Sequence, residues 1–220
     1  MSGPCAHLNC CILNDECGRM GESKTLCVII STMSDHDTRP HQECCWIQEG
    51  RLLAGAYPGS TYFGDDHDLV EKHIQAGVSF FLDLTEENEL VPYAAYLPKT
   101  HPVSGAPVVH RRMRMPDVET SGQHRDMNTI LDTIDSALAA GHLVYVHCRY
   151  GIGRTGVAIG CYLVRHGKSG ADAISDLAKF WSIRGDGDRR WIIPETSEQR
   201  RYVMNWKPAD TTGSGSRARG

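Results

Sequence analysis

The sequence predicts an α/β fold: a central, mostly parallel sheet with helices on both faces. Three observations carry this expectation. Residues 78–84 and 143–146 are apolar on both sides of a strand's alternation, as in strands buried on both faces. Met127, Ile130, Leu131, Ile134, Ala137 and Leu138 recur at helical spacing between two such runs. A glycine-containing segment, residues 147–156, joins the last apolar run to a second apolar stretch, residues 157–164, that reads as a buried helix. Strands alternating with helices imply parallel pairing through covered crossovers.

Order is expected to begin near Trp46. Residues 51–55 read as a strand, closed by the turn Tyr57-Pro58-Gly59-Ser60. Residues 65–76 read as a helix capped by Asp65 or Asp66, with Leu69, Val70 and Ile74 inward and Gly77 as its stop. The strand at 78–84 follows, and then an acidic run, residues 86–89, that reads as solvated surface. Pro92, Pro98, Pro102 and Pro107 punctuate a stretch without periodicity. Residues 108–113 form a third strand, leading into Arg114-Met115-Pro116-Asp117 and a loop. The amphipathic helix then runs to Gly141. Beyond the buried helix, Ala173, Ile174, Leu177, Ala178 and Trp181 make another inward face. Residues 184–190 are a Gly/Asp/Arg loop, and residues 195–206 a closing helix anchored by Tyr202, Val203 and Trp206.

The chemistry concentrates in residues 147–156, His-Cys-Arg-Tyr-Gly-Ile-Gly-Arg-Thr-Gly. A loop between a strand end and a helix start gathers backbone N–H groups, and the helix dipole adds positive field, so an oxyanion fits there. Five residues separate Cys148 from Arg154. A short loop of that length can curl round a tetrahedral anion, with sulfur below it and a guanidinium beside it. Arginine's planar fork takes two phosphate oxygens at once. The same field stabilises a thiolate at Cys148. Arg149, Tyr150, Gly151, Ile152 and Gly153 supply the backbone of the cradle, and Gly151, Gly153 and Gly156 allow close approach. Thr155 is placed to donate its hydroxyl to the sulfur. His147, read as buried, would fix loop carbonyls by hydrogen bonds. This is an activated nucleophile with its own electrostatic stabilisation.

The pattern His-Cys-x-x-x-x-x-Arg-Thr-Gly resembles the signature of the cysteine-dependent protein tyrosine and dual-specificity phosphatase superfamily. The resemblance covers residues 46–206 and is nearest to the small, dual-specificity-like or bacterial-type members. It implies a phosphatase-like fold and hydrolysis of phosphotyrosine, and of phosphoserine or phosphothreonine as a further class, through a phosphocysteine intermediate. It implies a general-acid aspartate some thirty residues before the cysteine. Asp117 stands 31 positions before Cys148, after a proline and at a strand end. Asp126 and Asp83 are the competitors. The segment Glu195-Thr196-x-x-Gln199 resembles the glutamine loop that positions hydrolytic water, and reads equally as a helix capping box. The loop lacks lysine, which phosphoinositide-directed relatives often carry there. Other classes are a pseudophosphatase that binds phosphorylated partners without turnover, a phosphatase of a non-protein phosphate ester, and a rhodanese-type sulfurtransferase. The Arg-Thr-Gly ending and the upstream Pro-Asp speak against the last.

Composition sets the remaining expectations. A net charge of −4, from 23 basic and 27 acidic residues, argues against nucleic-acid or membrane-surface binding. No signal peptide or membrane-spanning run is read, and a reactive thiol suits a reducing, cytoplasmic compartment. The end from residue 1 to about 44 is crowded by Cys5, Cys10, Cys11, Cys17, Cys27, Cys44 and Cys45, with His7, His36 and His41 among them. Only residues 26–30 there resemble a strand. No Cys-x-x-Cys pair occurs, so no metal is expected and the segment reads as a flexible extension. The catalytic domain is placed at residues 45–207, and residues 208–220, rich in Gly, Ser and Thr, read as a disordered tail. No cofactor is expected, the partner is a phosphorylated protein substrate, and a monomer is the expected state.

Overall fold

The computed structural model describes residues 38–59, 67–116, 127–183 and 192–208. The Cys-rich segment before residue 38, the start of the first helix, Asp117, Asp126, the loop at 184–190 and the tail from 209 lie outside them.

Five strands form one sheet: β1 (Cys44–Gln48), β2 (Leu52–Gly55), β3 (Val78–Asp83), β4 (Val109–Arg112) and β5 (Leu143–His147). Their order is β1-β2-β5-β3-β4, with β1 antiparallel to β2 and every other pairing parallel. The helices among the described residues are α1 (His67–Gln75), α2 (Met127–Ala139), α3 (Gly153–Arg165), α4 (Gly170–Ser182) and α5 (Ser197–Asn205), with a 3-10 turn at Ala94–Tyr96.

The alternation of β5 divides the core. Val144 and Val146 join Leu82, Ala54 and the inward residues of α2 to α5 on one face. Tyr145 points the other way, to Phe81, Leu53 and the α1 residues Val70 and Ile74. Both faces are covered, as the largely apolar strands require. Among the described residues no helix is long and apolar enough to cross a membrane.

Two elements differ from the sequence reading. Among the described residues the first strand is β1 at Cys44, and Cys44 and Cys45 are fully buried on opposite faces of the sheet. Cysteine there acts as a small hydrophobe, so Cys44 belongs to the core. Helix α3 starts at Gly153, four residues before its apolar stretch, because glycine, arginine and threonine of the loop form its first turn.

The sheet's register then sets the site. Gly55 of β2 pairs with His147 of β5, His147 with Asp83 of β3, and Asp83 with Arg112 of β4. These four residues form a row at the carboxyl ends of the strands, where ligands bind in such sheets.

Candidate active site

The loop from Cys148 to Gly153 leaves β5 at the end of that row and runs directly into α3. Three alternate carbonyls are tied to surrounding elements. His147 O accepts from Leu84 N at 2.9 Å, and Arg149 O from Tyr57 N at 3.1 Å. Gly151 O accepts from the Trp181 indole Nε1 at 2.9 Å. Gly151 has φ +70°, and a Cβ there would stand 2.6 Å from Ala56 N, so only glycine fits against the end of β2. The loop is thereby clasped between β2, β3 and α4.

Cys148 is buried beneath this loop, with 3% of its surface exposed, and is a free thiol. Tyr150 stands at the rim, half exposed, with the Arg149 guanidinium 5.1 Å from its ring centre. Arg154 is almost wholly buried. Its Nη1 and Nη2 donate to the two carboxylate oxygens of Glu89 at 2.7 and 2.6 Å, and Nη1 also reaches Met115 O at 3.4 Å. The acidic run 86–89 is therefore not uniformly solvated. Glu86 and Glu87 are exposed, but Glu89 turns inward because a buried guanidinium needs a counter-charge. Burial would raise the Glu89 carboxyl, and hydrogen bonds from Arg154 and the Glu86 amide overcome it and hold it below its ordinary value. Glu89 grips the end of the guanidinium, whereas bidentate capture of an oxyanion can use the Nε–Nη2 side of the fork. One arginine can thus hold both.

Gln199 is buried, and the capping box is present: Thr196 Oγ1 accepts from Gln199 N, and Gln199 Oε1 from Thr196 N, each at 3.1 Å. A Cβ on Gly153 would lie 3.0 Å from Gln199 Nε2 and 3.2 Å from Glu195 Oε2. Cap and loop contact coexist in one side chain. The Thr155 hydroxyl is buried and has no hydrogen-bond partner among the described residues, so the bond to sulfur expected from the sequence is not made. Asp117 and Asp126 lie outside the described residues.

A model of the Tc-R-P family, described as the DSP-PTPase phosphatase of polymorphic toxin systems, matches residues 59–168, half of the chain. The chain belongs to this family. It is a dual-specificity-like phosphatase, and its mostly parallel sheet flanked by helices is the fold of solved phosphatases. Tk-PTP in its active form is 20% identical, with a TM-score of 0.52 over 74% of this chain and 93% of that one. TpbA of P. aeruginosa, solved in complex with pTyr, is 15% identical, with a TM-score of 0.51 over 77% and 88%. The core catalytic domain of the PP-IP phosphatase SIW14 from S. cerevisiae is 15% identical, with a TM-score of 0.53 over 77% and 88%.

Beneath the phosphatase loop lies a buried polar network that sequence reasoning did not assemble. Asp83 is fully buried. It accepts from Thr85 N and Oγ1 at 2.9 and 2.6 Å and from Arg112 Nε and Nη2 at 3.0 and 2.9 Å. His110 Nε2 lies 3.3 Å away and His147 Nδ1 3.9 Å away. Burial pushes the Asp83 carboxyl up, but the two histidines and the Thr85 bonds more than offset it and keep it well below the usual carboxylate range. A permanently ionised, ion-paired carboxylate cannot protonate a leaving group, which removes Asp83 from the general-acid competition. It joins Arg112 by two hydrogen bonds within the row under the loop.

His147 is wholly buried. Its Nε2 meets the Tyr93 hydroxyl at 2.7 Å, and the Cys148 backbone also acts on the ring through a hydrogen bond. Burial lowers its pKa to about 4, against the opposing pull of Asp83, so the imidazole is neutral. Burial also pushes the Tyr93 hydroxyl well above its ordinary value. A protonated Tyr93 donating to Nε2 and a carboxylate on the Nδ1 side together assign the ring proton to Nδ1. The register and the shared face of Asp83, His147 and Arg112 bring these groups together, and neither is written in local spacing. The one available signal was a charged residue ending an apolar strand.

An open cleft of about 550 Å³ adjoins the end of β4 and the start of α2, lined by Glu87, Arg112, Met113, Arg114, Thr129 and Ile130.

Proposed function

We propose that this phosphatase hydrolyses phosphotyrosine in proteins through a phosphocysteine intermediate. The observation that supports it best is the loop from Cys148 to Arg154. Its nucleophile lies at the base, its alternate carbonyls are drawn outward, and its arginine is held by Glu89. In the first step the Cys148 thiolate attacks phosphorus and the bond to the tyrosyl oxygen breaks. Asp117 gives its proton to that oxygen, and Arg154 and the loop amides take the charge on the three equatorial oxygens. In the second step Gln199 holds a water that attacks phosphorus. The S–P bond breaks, Asp117 receives the water's proton, and phosphate leaves. His147 supports the loop from below without touching substrate.

A protein substrate is favoured over a polyphosphorylated small molecule by two features. The loop carries no lysine, and the cleft at the end of β4 is lined by Glu87 and Arg114 together with the apolar Met113 and Ile130. A peptide flanking the phosphoresidue suits such a lining better than a dense polyanion does. The family description sets the chemistry in a polymorphic toxin system, so phosphoproteins of a target cell are the substrates to try first.

The test is turnover of phosphotyrosine peptides, phosphoserine peptides and inositol polyphosphates by purified protein, with the Cys148→Ser variant alongside. Rapid acid quench during turnover should leave phosphate covalently on Cys148, located by mass spectrometry. Cys148→Ser should bind phosphopeptide and lose turnover, since a serine hydroxyl is not ionised near neutral pH. Preference for an inositol polyphosphate would overturn the protein-substrate reading. Retained turnover in Cys148→Ser would overturn the covalent mechanism.

A further inference from the structure

Trp181 reads from the sequence as one more core anchor of α4, and 4% of it is exposed. A phenylalanine would fill that place without bringing a polar atom inside. The indole N–H instead ends on Gly151 O, a carbonyl of the phosphate-binding loop itself, thirty residues upstream. In a trans peptide the carbonyl of one residue and the N–H of the next point in opposite directions. Holding Gly151 O toward α4 therefore turns the Ile152 N–H the other way. The same relation aims the Cys148 N–H through His147 O, and the Tyr150 N–H through Arg149 O. Alternate amides then face one side, as in a backbone nest for an anion.

The three tethers are not equivalent. Leu84 N and Tyr57 N are backbone donors, each carried by a neighbouring strand or its turn. The third is a side chain from a helix, and it holds a peptide that begins with a glycine. Gly151 sits at φ +70°, so the 151–152 peptide has a glycine on one side, free of Cβ hindrance about its ψ bond, and the buried Ile152 on the other. Once rotated, that peptide would present its carbonyl oxygen, and not an N–H, to the thiolate and the phosphate.

We propose that Trp181 is a positioning residue of the phosphatase. Its indole N–H fixes the 151–152 peptide so that the Ile152 amide donates to the bound oxyanion. The proposal rests on the reading of this loop as the phosphate cradle.

The experiment uses the full chain in three forms: wild type, Trp181→Phe, and protein carrying benzothienylalanine at position 181, in which sulfur replaces the indole N–H at nearly constant shape. The readouts are kcat and KM on an aryl phosphate and the competitive Ki of tungstate. Tungstate is a tetrahedral oxyanion, and its Ki does not depend on the fraction of active protein. Loss of one amide donor from the cradle should raise the tungstate Ki about tenfold in both variants and lower kcat by a similar or larger factor. Leu177→Ala, on the same inward face of α4 and remote from the cradle, should lower the melting temperature and leave the tungstate Ki within twofold of wild type. An unchanged Ki in the benzothienylalanine protein overturns the proposal, even where Trp181→Phe fails to fold. A wild-type protein that neither binds tungstate nor turns over aryl phosphate would overturn the cradle reading itself, a result distinct from failure of Trp181 alone.

Discussion

Replacing Glu89 by glutamine tests whether this carboxylate positions Arg154 for the proposed reaction or merely occupies it. The side chain keeps its length and one carbonyl oxygen, but it loses its charge and turns an NH2 toward a guanidinium nitrogen. The magnitude follows from burial. Breaking a fully buried ion pair by removing one partner costs about 3–5 kcal/mol, and an exposed pair contributes at most about 1 kcal/mol. Here Arg154 is 2% exposed and Glu89 14%, so a loss of about 2 kcal/mol lies between these limits. Expressed in the transition state, that is roughly a thirtyfold fall in kcat/KM. A positioning role puts most of it in kcat, because a loosened guanidinium still binds dianionic substrate but fits the transition state less well. The assay is steady-state hydrolysis of an aryl phosphate, with the melting temperature measured alongside. If Glu89 instead blocked the oxyanion site, its removal would raise kcat/KM and lower KM. Either that increase or a change within twofold would refute the reasoning.

Three further outcomes are expected. Gly151→Ala should cut turnover a hundredfold or more while leaving most of the fold intact, because its Cβ would press on the backbone of Gly55 and Ala56 at the clasp of the loop. Normal kinetics in this variant would mean that the clasp is dispensable. His147 is neutral in the folded protein, with its pKa lowered from the ordinary 6.5 to about 4. The unfolded chain takes up its proton first as pH falls, so stability should be flat above pH 6.5 and should drop by about 3 kcal/mol between 6.5 and 4 on this account alone. Urea denaturation across that range checks it, and stability that rises on acidification would contradict the assignment. Asp117→Asn should slow hydrolysis of a phosphotyrosine peptide about a hundredfold and spare an aryl phosphate with a strongly acidic phenol, since only the poor leaving group needs the proton. Equal losses on both substrates would remove Asp117 from the role.

What could be read in one dimension was whatever depends on neighbours along the chain. Periodicity at residues 127–138 and largely apolar runs at 78–84 and 143–146 mark elements whose burial is set by their own pattern, and they lie where that pattern put them. The motif from His147 to Gly156 was legible for the same reason. Its strand end, nucleophile, glycines and arginine must follow one another in order to curl round one anion. Gln199 declared a cap by its spacing to Thr196, and the cap is there.

What encloses that loop was decided by register and by the packing of distant elements. Four separate strands contribute Gly55, His147, Asp83 and Arg112 to one row, a relation fixed only when the parallel strands align. Glu89 lies in an acidic run that looks like surface until a buried guanidinium arrives from 65 residues downstream. Trp181 carries the helical spacing of a core residue, and nothing local tells which carbonyl its N–H will meet. The difference is physical. Hydrophobic burial is nondirectional and leaves a periodic trace in the chain. A buried charge or N–H must find one particular partner, and the tertiary fold alone decides where that partner stands.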